Sequence, residues 1–399
     1  MFVSHLSLVD FRSYEHVDVE LGEGINAFVG PNGQGKTNIV EAIGYLATLR
    51  SHRVASEIPL IRAGTERAVI RSRIVRGDRA STVEVEIVPG KSNRARINRG
   101  SLTRARDILG LLHAVTFAPE DLVLVKGDPD ARRDFLDVLC VQLAPRFASV
   151  LADYERVLRQ RNTLLKTASG PRRGSDEGGF DLHTLEVWDA KLAQLGAKIT
   201  HLRHGIVQEL APHIARTYDE VSAGQGVATA MYRSSLDAYA DDEQTIGAAT
   251  TISEAMIEAQ LLDTLAKLRA KELQRGVTLV GPHRDDVVLT INDLAVKSYA
   301  SHGESWSFAL ALRLASYDLL TVGPQHESHQ WVPWGNDAEP VIILDDVFAE
   351  LDVKRRDRLV ERVARAKQVL ITAAVAEDVP EGLDGRRFDV MQAEVTRVL

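Results

Sequence analysis

The sequence predicts an α/β fold in which a mixed β-sheet with flanking helices is interrupted by a mostly helical insertion. Three observations predict it. Near the start, the apolar run Ile25, Ala27, Phe28 and Val29 passes through a glycine-rich turn, Gly30 to Thr37, into an apolar run of helical character. Near the end, Val341-Ile342-Ile343-Leu344 are four consecutive apolar residues closed by Asp345 and Asp346, which suits a parallel strand buried on both faces. Between these segments the apolar period changes from strand to helix and back.

Taken in order, the first ~110 residues read as short strands, since a half-buried strand alternates its apolar residues. Val17, Val19 and Leu21 alternate, as do Thr82 to Ile87. From about Asp130 to Thr167, Phe135, Leu136, Leu139, Leu143, Val150, Leu151, Tyr154 and Leu158 recur at helical spacing, with a break or restart at Pro145. Gly170 to Gly179, rich in glycine and charge, reads as a flexible hairpin loop. A second helical run, about Leu182 to Val221, carries Leu185, Leu192, Leu195, Ile199 and Leu202. A strand-like stretch at Val227 to Tyr232 and a helix at about Ser253 to Arg275 follow, and the sheet pattern resumes at Val277 to Gly281. The expected organisation is a head in two parts, 1–125 and 276–399, around a helical arm at 126–275.

The chain has 399 residues, 45% of them hydrophobic, enough for a core of two or three packed units. A single cysteine, Cys140, lies in an apolar stretch, so a disulfide framework and a Cys/His metal cluster are both excluded. The start, Met-Phe-Val-Ser-His-Leu, lacks a signal pattern, and no apolar run approaches membrane length; the expectation is a cytoplasmic, nucleoid-associated protein with no membrane partner. The net charge of −8 argues weakly against a nucleic-acid partner, but the distribution argues for one. Lys91, Arg94, Arg96, Arg99, Arg104 and Arg106 occur with no acidic residue between them, a local positive surface on an acidic chain. The plainer reading of that cluster is a solvated strand-and-turn surface.

Gly30-Pro31-Asn32-Gly33-Gln34-Gly35-Lys36-Thr37 is a complete phosphate-binding loop in strand–loop–helix context. Gly30, Gly33 and Gly35 let successive N–H groups turn inward onto phosphate oxygens. The helix that follows adds its positive end. Lys36 reaches the β- and γ-phosphates, and the Thr37 hydroxyl is placed to ligate Mg²⁺. Pro31, Asn32, Gln34 and Asn38 belong to the same nucleotide-facing segment, although spacing assigns no separate role to Asn32 or Gln34. Asp345 supplies the carboxylate for Mg²⁺, directly or through water, and Asp346 orients or deprotonates the attacking water. ATP and Mg²⁺ are therefore the expected cofactors. Because the loop and Asp345 must meet at one site, the two head segments belong to one unit.

The motif set resembles the RecF family of bacterial recombinational repair, within the ABC-type and SMC-like ATPases. Leu8-Val9-Asp10-Phe11-Arg12-Ser13-Tyr14, the phosphate loop with Asn38 and Glu41, Arg50-Ser51-His52-Arg53, Phe117-Ala118-Pro119-Glu120-Asp121-Leu122 and Gly127-Asp128-Pro129 with Arg132-Arg133 carry the resemblance. So do Gly281-Pro282-His283-Arg284-Asp285-Asp286, Ser301-His302-Gly303-Glu304 and Leu344 to Asp352, and together they run along nearly the whole chain. The resemblance implies an ABC-type ATPase head with a short helical arm. It implies that Ser301, Gly303 and Glu304 are a signature motif that meets the γ-phosphate of a second subunit, with Asp352 at the dimer interface and Arg12 near the nucleotide. Without the family, Ser301 is a helix cap. The resemblance also implies an ATP-dependent homodimer on single-stranded, gapped or junction DNA, the mediators RecO and RecR as partners, and a role in replication, repair and the SOS response.

Some positions depart from the wider ABC pattern. Glu120 stands where a metal-linked glutamine is usual and is a candidate water-mediated Mg²⁺ contact. Thr372 replaces a switch histidine, and Asp346 replaces the usual glutamate, which predicts slow hydrolysis. Arg53 and His52 are candidate DNA contacts. A transporter-type ATPase subunit is the competing reading. A nuclease would need a second cluster of metal ligands, and a small-molecule kinase an acceptor pocket; no motif supplies either.

Overall fold

The computed structural model describes residues 1–169, 182–239, 252–325, 334–335 and 337–398. The chain opens with the hairpin β1 (Phe2–Phe11) and β2 (Tyr14–Glu20), then β3 (Gly24–Val29) and α1 (Lys36–Thr48). There follow β4 (Ala68–Arg76), β5 (Arg79–Ile87), β6 (Arg94–Ile97), the two-residue β7 (Thr103–Arg104) and β8 (Ala114–Phe117). The helical part comprises α2 (Leu122–Lys126), α3 (Pro129–Leu143), α4 (Phe147–Ser169), α5 (Leu182–Ser222) and, after β9 (Ala228–Arg233), α6 (Glu254–Arg275). The chain returns through β10 (Asp286–Ile291), β11 (Leu294–Ala295), α7 (Val296–Tyr299) and α8 (His302–Val322). It closes with β12 (Val341–Asp345), α9 (Val353–Val363), β13 (Gln368–Ala373), β14 (Arg386–Met391) and β15 (Glu394–Val398).

Three sheets result. One is antiparallel, ordered β2-β1-β4-β5-β6-β7. The second is ordered β15-β14-β3-β13-β12-β8 and is parallel except for the β15 hairpin edge. The third is the small antiparallel β11-β10-β9. The parallel sheet is covered on both faces, and its strands alternate between two apolar clusters. Ile25, Ala27, Val29, Ile342, Leu344, Val369 and Ile371 join one cluster, whereas Phe28, Val341, Ile343 and Leu370 join the other with the antiparallel sheet and α1. This is the period-two alternation of a strand buried on both sides. The run Val341 to Leu344 is fully buried, as its composition requires.

The helical part shares the head's core. One cluster runs from Ile342 and Leu344 of the sheet through Leu139 and Leu202 to Leu261. Helix α5 packs on α4, α6 and the head helix α8, and β9 takes its partner from β10, beyond residue 275. Buried ion pairs reinforce the framework. Arg161, wholly buried, donates to Asp189 (2.7 Å), Glu272 (2.6 Å) and Thr278 (2.8 Å). Arg132 pairs with Asp286 at 2.7 Å and Arg203 with Asp137 at 2.8 Å. Such charges are tolerated inside only when paired and hydrogen-bonded.

Helix α3 stops at Leu143 and α4 restarts at Phe147, so Pro145 marks the expected break. The loop expected at Gly170 to Gly179 lies outside the described residues. The strand expected at Val277 to Gly281 is not one; β10 begins at Asp286 instead. Side chains occupy its backbone. The Thr278 N–H donates to Asn162 (2.8 Å), the Leu279 N–H donates to Glu272 (2.7 Å), and the Thr278 carbonyl accepts from Arg284 (3.1 Å). With its polar groups thus satisfied, the segment needs no ladder. His283, beside it, accepts or donates to the Tyr154 hydroxyl at 2.8 Å. Burial holds its pKa down at about 4, so it is a neutral framework residue at physiological pH.

Candidate nucleotide-binding site

The site forms where the parallel strands end, the usual place for ligands in such sheets. Strand β13 lies between β3 and β12, so the phosphate loop and Asp345 flank it rather than sit on neighbouring strands. The loop's glycines are required by space and backbone. A Cβ on Gly30 would lie 2.1 Å from the Val390 carbonyl oxygen of β14. Gly35 has φ 111°, and its Cβ would meet the Tyr14 hydroxyl at 2.7 Å; Gly33 has φ 81° with open space around it. Positive φ of this kind suits glycine. Helix α1 starts at Lys36 with no side-chain cap, which leaves its positive end for a ligand. Gln34 ties the loop to the β14–β15 turn, accepting from Gln392 N (2.7 Å) and Ala393 N (3.2 Å). Spacing alone left that residue without a role.

The Lys36 ammonium is turned onto the loop's own oxygens, the carbonyls of Gly30 and Pro31 (2.9 Å to the latter) and Asn32 Oδ1 (3.4 Å). Burial lowers its pKa although Asp346 and Asp345 pull it up. Thr37 Oγ1 donates to Asp345 Oδ1 at 2.9 Å. The same oxygen accepts from Thr372 Oγ1 at 2.7 Å, and His52 Nε2 lies 3.3 Å from Asp345 Oδ2. Burial works against the Asp345 charge, but the bonds from His52, Thr372 and Thr37 outweigh it and hold the carboxyl below the ordinary aspartate value. Asp346 adopts a left-handed backbone, φ 53°, and its N–H donates to Thr372 Oγ1 at 2.9 Å. Burial first, then the neighbouring Asp345 charge, raises the Asp346 carboxyl. Thr372 therefore ties the Asp345 carboxylate to the Asp346 backbone: its hydroxyl gives its proton to the first and takes the N–H of the second.

A hydroxyl and a carboxylate are hard oxygen donors, and among the described residues no three His, Cys, Asp or Glu side chains gather to hold a metal unaided. Thr37 and Asp345 thus fit a cation that keeps phosphate and water oxygens in its shell, as Mg²⁺ does. Glu120 is exposed and shares a cavity wall with His52, but its side chain makes no hydrogen bond or ion pair among the described residues.

The remaining expected residues fall into three groups. Arg12, Asn38 and Arg53 gather around Glu41, which is wholly buried. Arg12 grips Glu41 bidentately at 2.8 and 2.5 Å, and Arg53 reaches Asn38 (3.1 Å) and Glu41 (3.5 Å). Ser301 and Glu304 form a reciprocal cap at the start of α8, 3.2 and 2.8 Å, which lowers the Glu304 carboxyl. Asp352 caps α9 at Arg355 N (3.0 Å), and the Arg355 guanidinium lies against Gly303 and donates to Ser307 (2.9 Å). The two helix starts are therefore adjacent. Among the described residues none of Ser301, Gly303, Glu304 and Asp352 bonds to the phosphate loop of the same chain. In the third group, Lys91, Arg94, Arg96, Arg99, Arg104 and Arg106 are all exposed, and Arg94 stands opposite Arg104. Glu84 and Glu86 of β5 stand opposite Arg96 and Arg94, so the cluster is partly neutralised.

Comparison with known proteins decides the family. The chain matches the RecF/RecN/SMC N terminal domain family over residues 2–392. It is 55% identical over 404 residues to the DNA replication and repair protein RecF of Beutenbergia cavernae, with the whole of both chains covered. The chain belongs to the RecF family. The RecF protein of Frankia alni is 54% identical over 397 residues, again with full coverage of both. Among solved structures, the recombination mediator RecF–ATP of the RecFOR pathway matches with a TM-score of 0.84 at 26% identity, covering 100% of this chain and 98% of that one. The Smc head of Pyrococcus furiosus, at 14% identity and a TM-score of 0.51 over 100% of this chain and 96% of its own, shares the fold. RecF membership assigns the chain to DNA replication and repair and confirms the head fold read from the motifs. The transporter reading finds no support among these relatives. Among the described residues no helix is long and apolar enough to cross a membrane.

Proposed function

We propose that the chain is a weak Mg²⁺-dependent ATPase whose nucleotide-driven dimer grips DNA during recombinational repair and lets go on hydrolysis. The observation that carries this reading is the Thr37–Asp345–Thr372–Asp346 chain at the end of the phosphate loop. Phosphate oxygens entering the loop take over the Lys36 ammonium from the Gly30 and Pro31 carbonyls. Thr37 and Asp345 hold Mg²⁺, which when bound offsets the phosphate charge. Asp346, its carboxyl raised, orients or deprotonates the attacking water. Its side chain is one methylene shorter than a glutamate, which favours slow turnover.

Ser301, Gly303 and Glu304, with Asp352, are exposed or half-exposed at two adjacent helix starts. They suit the γ-phosphate held by a second copy, giving a two-fold dimer. Arg12 acts on the nucleotide from its Glu41 seat, and Glu120 is the weaker candidate for a water-mediated metal contact. Residues 126–275 act as the arm. Arg53 and the cluster from Lys91 to Arg106 contact DNA phosphates, with little sequence preference. Family membership is what supports the further reading of single-stranded, gapped or junction DNA and the mediators RecO and RecR as partners, a part in the SOS response and a cytoplasmic, nucleoid-associated location. The test is the mass in solution by light scattering, with and without ATP and Mg²⁺, for the wild type, Lys36→Met and Asp346→Asn. ATP should double the wild-type mass, Asp346→Asn should prolong the dimer, and Lys36→Met should never form it. A mass that ignores ATP while nucleotide still binds sinks the dimer.

A further inference from the structure

We propose that His52 is a positioning residue for the metal-facing carboxylate: its Nε2–H holds Asp345 Oδ2 so that Oδ1 stays turned to Thr37. The inference rests on the nucleotide reading above and assigns a role outside the loop and its carboxylates. Asp345 Oδ1 takes two hydroxyl donors, Thr37 and Thr372, whereas Oδ2 takes His52. Without the imidazole the carboxylate can swing about its χ2 bond, because nothing else among the described residues bonds to Oδ2.

His52 is itself held from α1. Ser51 Oγ donates to Glu41 Oε1 and accepts from Arg53 N (3.0 Å) and Val54 N (3.2 Å), a serine turn pinned on a buried carboxylate. Glu41 is fixed in turn by Arg12 at 2.8 and 2.5 Å. The other side of His52 opens on a cavity of about 330 Å³ between β8, α1, α3 and α8, lined also by Thr48, Glu120 and Phe135. On that open side no side chain fixes the ring, whereas the turn and Asp345 hold it on the other. The same space admits other side chains at position 52 without crowding. Partners that orient a metal-binding group commonly change metal affinity about 10–100-fold when removed.

The test is the Mg²⁺ dependence of fluorescent ATP binding in the full-length protein, for the wild type, His52→Leu and His52→Gln. Affinity in EDTA and thermal melting of the nucleotide-free protein serve as controls. Glutamine places its amide nitrogen near the position of Nε2, so it keeps the donor. We expect His52→Leu to need about tenfold more Mg²⁺ for half-saturation with EDTA affinity unchanged, and His52→Gln to return within about twofold of wild type. An unchanged Mg²⁺ midpoint in His52→Leu overturns the proposal, as does an equal loss in EDTA. Should His52→Leu fail to fold, His52→Asn, whose amide stops short of Asp345, takes its place with the same expected shift. Failure of the wild type to bind ATP at all would instead sink the nucleotide reading.

Discussion

Replacing Thr372 by valine removes one hydroxyl from a buried strand end while keeping the side chain's shape. Thr372 is 2% exposed, so water cannot take the hydroxyl's place. Two bonds go: the 2.7 Å bond to the Asp345 carboxylate and the 2.9 Å bond from Asp346 N. A hydrogen bond to a charged group contributes about 1.5–3 kcal/mol, and a stranded, partly buried N–H costs about 1–3 kcal/mol. With relaxation and residual hydration at the half-exposed Asp346, the loss should be about 3 kcal/mol. Urea unfolding at pH 7 measures it, with Thr372→Ser as the variant that keeps both bonds. Thr372→Val should also change the acid limb. The Asp345 carboxyl is depressed in the folded state, so its contribution is present above the ordinary aspartate range and is lost as pH falls through the lower folded value. Losing the Thr372 donor raises that folded value and makes the loss on acidification shallower. If Thr372→Val unfolds within about 0.5 kcal/mol of wild type, a margin typical of surface changes, the reasoning fails.

Gly30→Ala should be poorly folded and unable to bind ATP, because its methyl meets a β14 carbonyl at 2.1 Å; Gly33→Ala, with open space, should lose far less in melting temperature. The hydrolysis rate should fall on acidification at a pH above the ordinary aspartate range, because Asp346 acts ionised and its carboxyl is raised; a pH–rate profile checks this, and Asp346→Asn should remove both the limb and the activity. For DNA, combined Arg94, Arg99 and Arg104→Ala should lower the slope of log affinity against log salt by about 2–3, measured by anisotropy from about 50 to 200 mM salt. An unchanged slope would return the cluster to a solvated surface.

Much of the site was legible because its chemistry is local in sequence. The glycines, Lys36 and Thr37 lie in one loop, and Asp345 ends a strand whose apolar run can only be doubly buried. The helices were legible from their period, including the break at Pro145. The stretch Val277 to Gly281 misled because its apolar residues look like a strand, whereas Asn162, Glu272 and Arg284 reach in from elsewhere to satisfy its backbone. Gln34 was visible but mute, since its partner turn is at the far end of the chain.

By itself the sequence determined an α/β head interrupted by helices and carrying a phosphate-binding loop, because periodicity and loop chemistry are properties of neighbouring residues. The tertiary structure alone decided which distant groups meet. It set β13 between the loop and Asp345, tied Thr372 to the Asp345 carboxylate and the Asp346 N–H, brought His52 to Asp345 Oδ2, and placed Arg12 and Arg53 on Glu41, with Asn38 joined through Arg53. Strand order and long-range hydrogen bonds are fixed by packing two apolar clusters against one sheet, and no local pattern encodes which side chains that packing brings together.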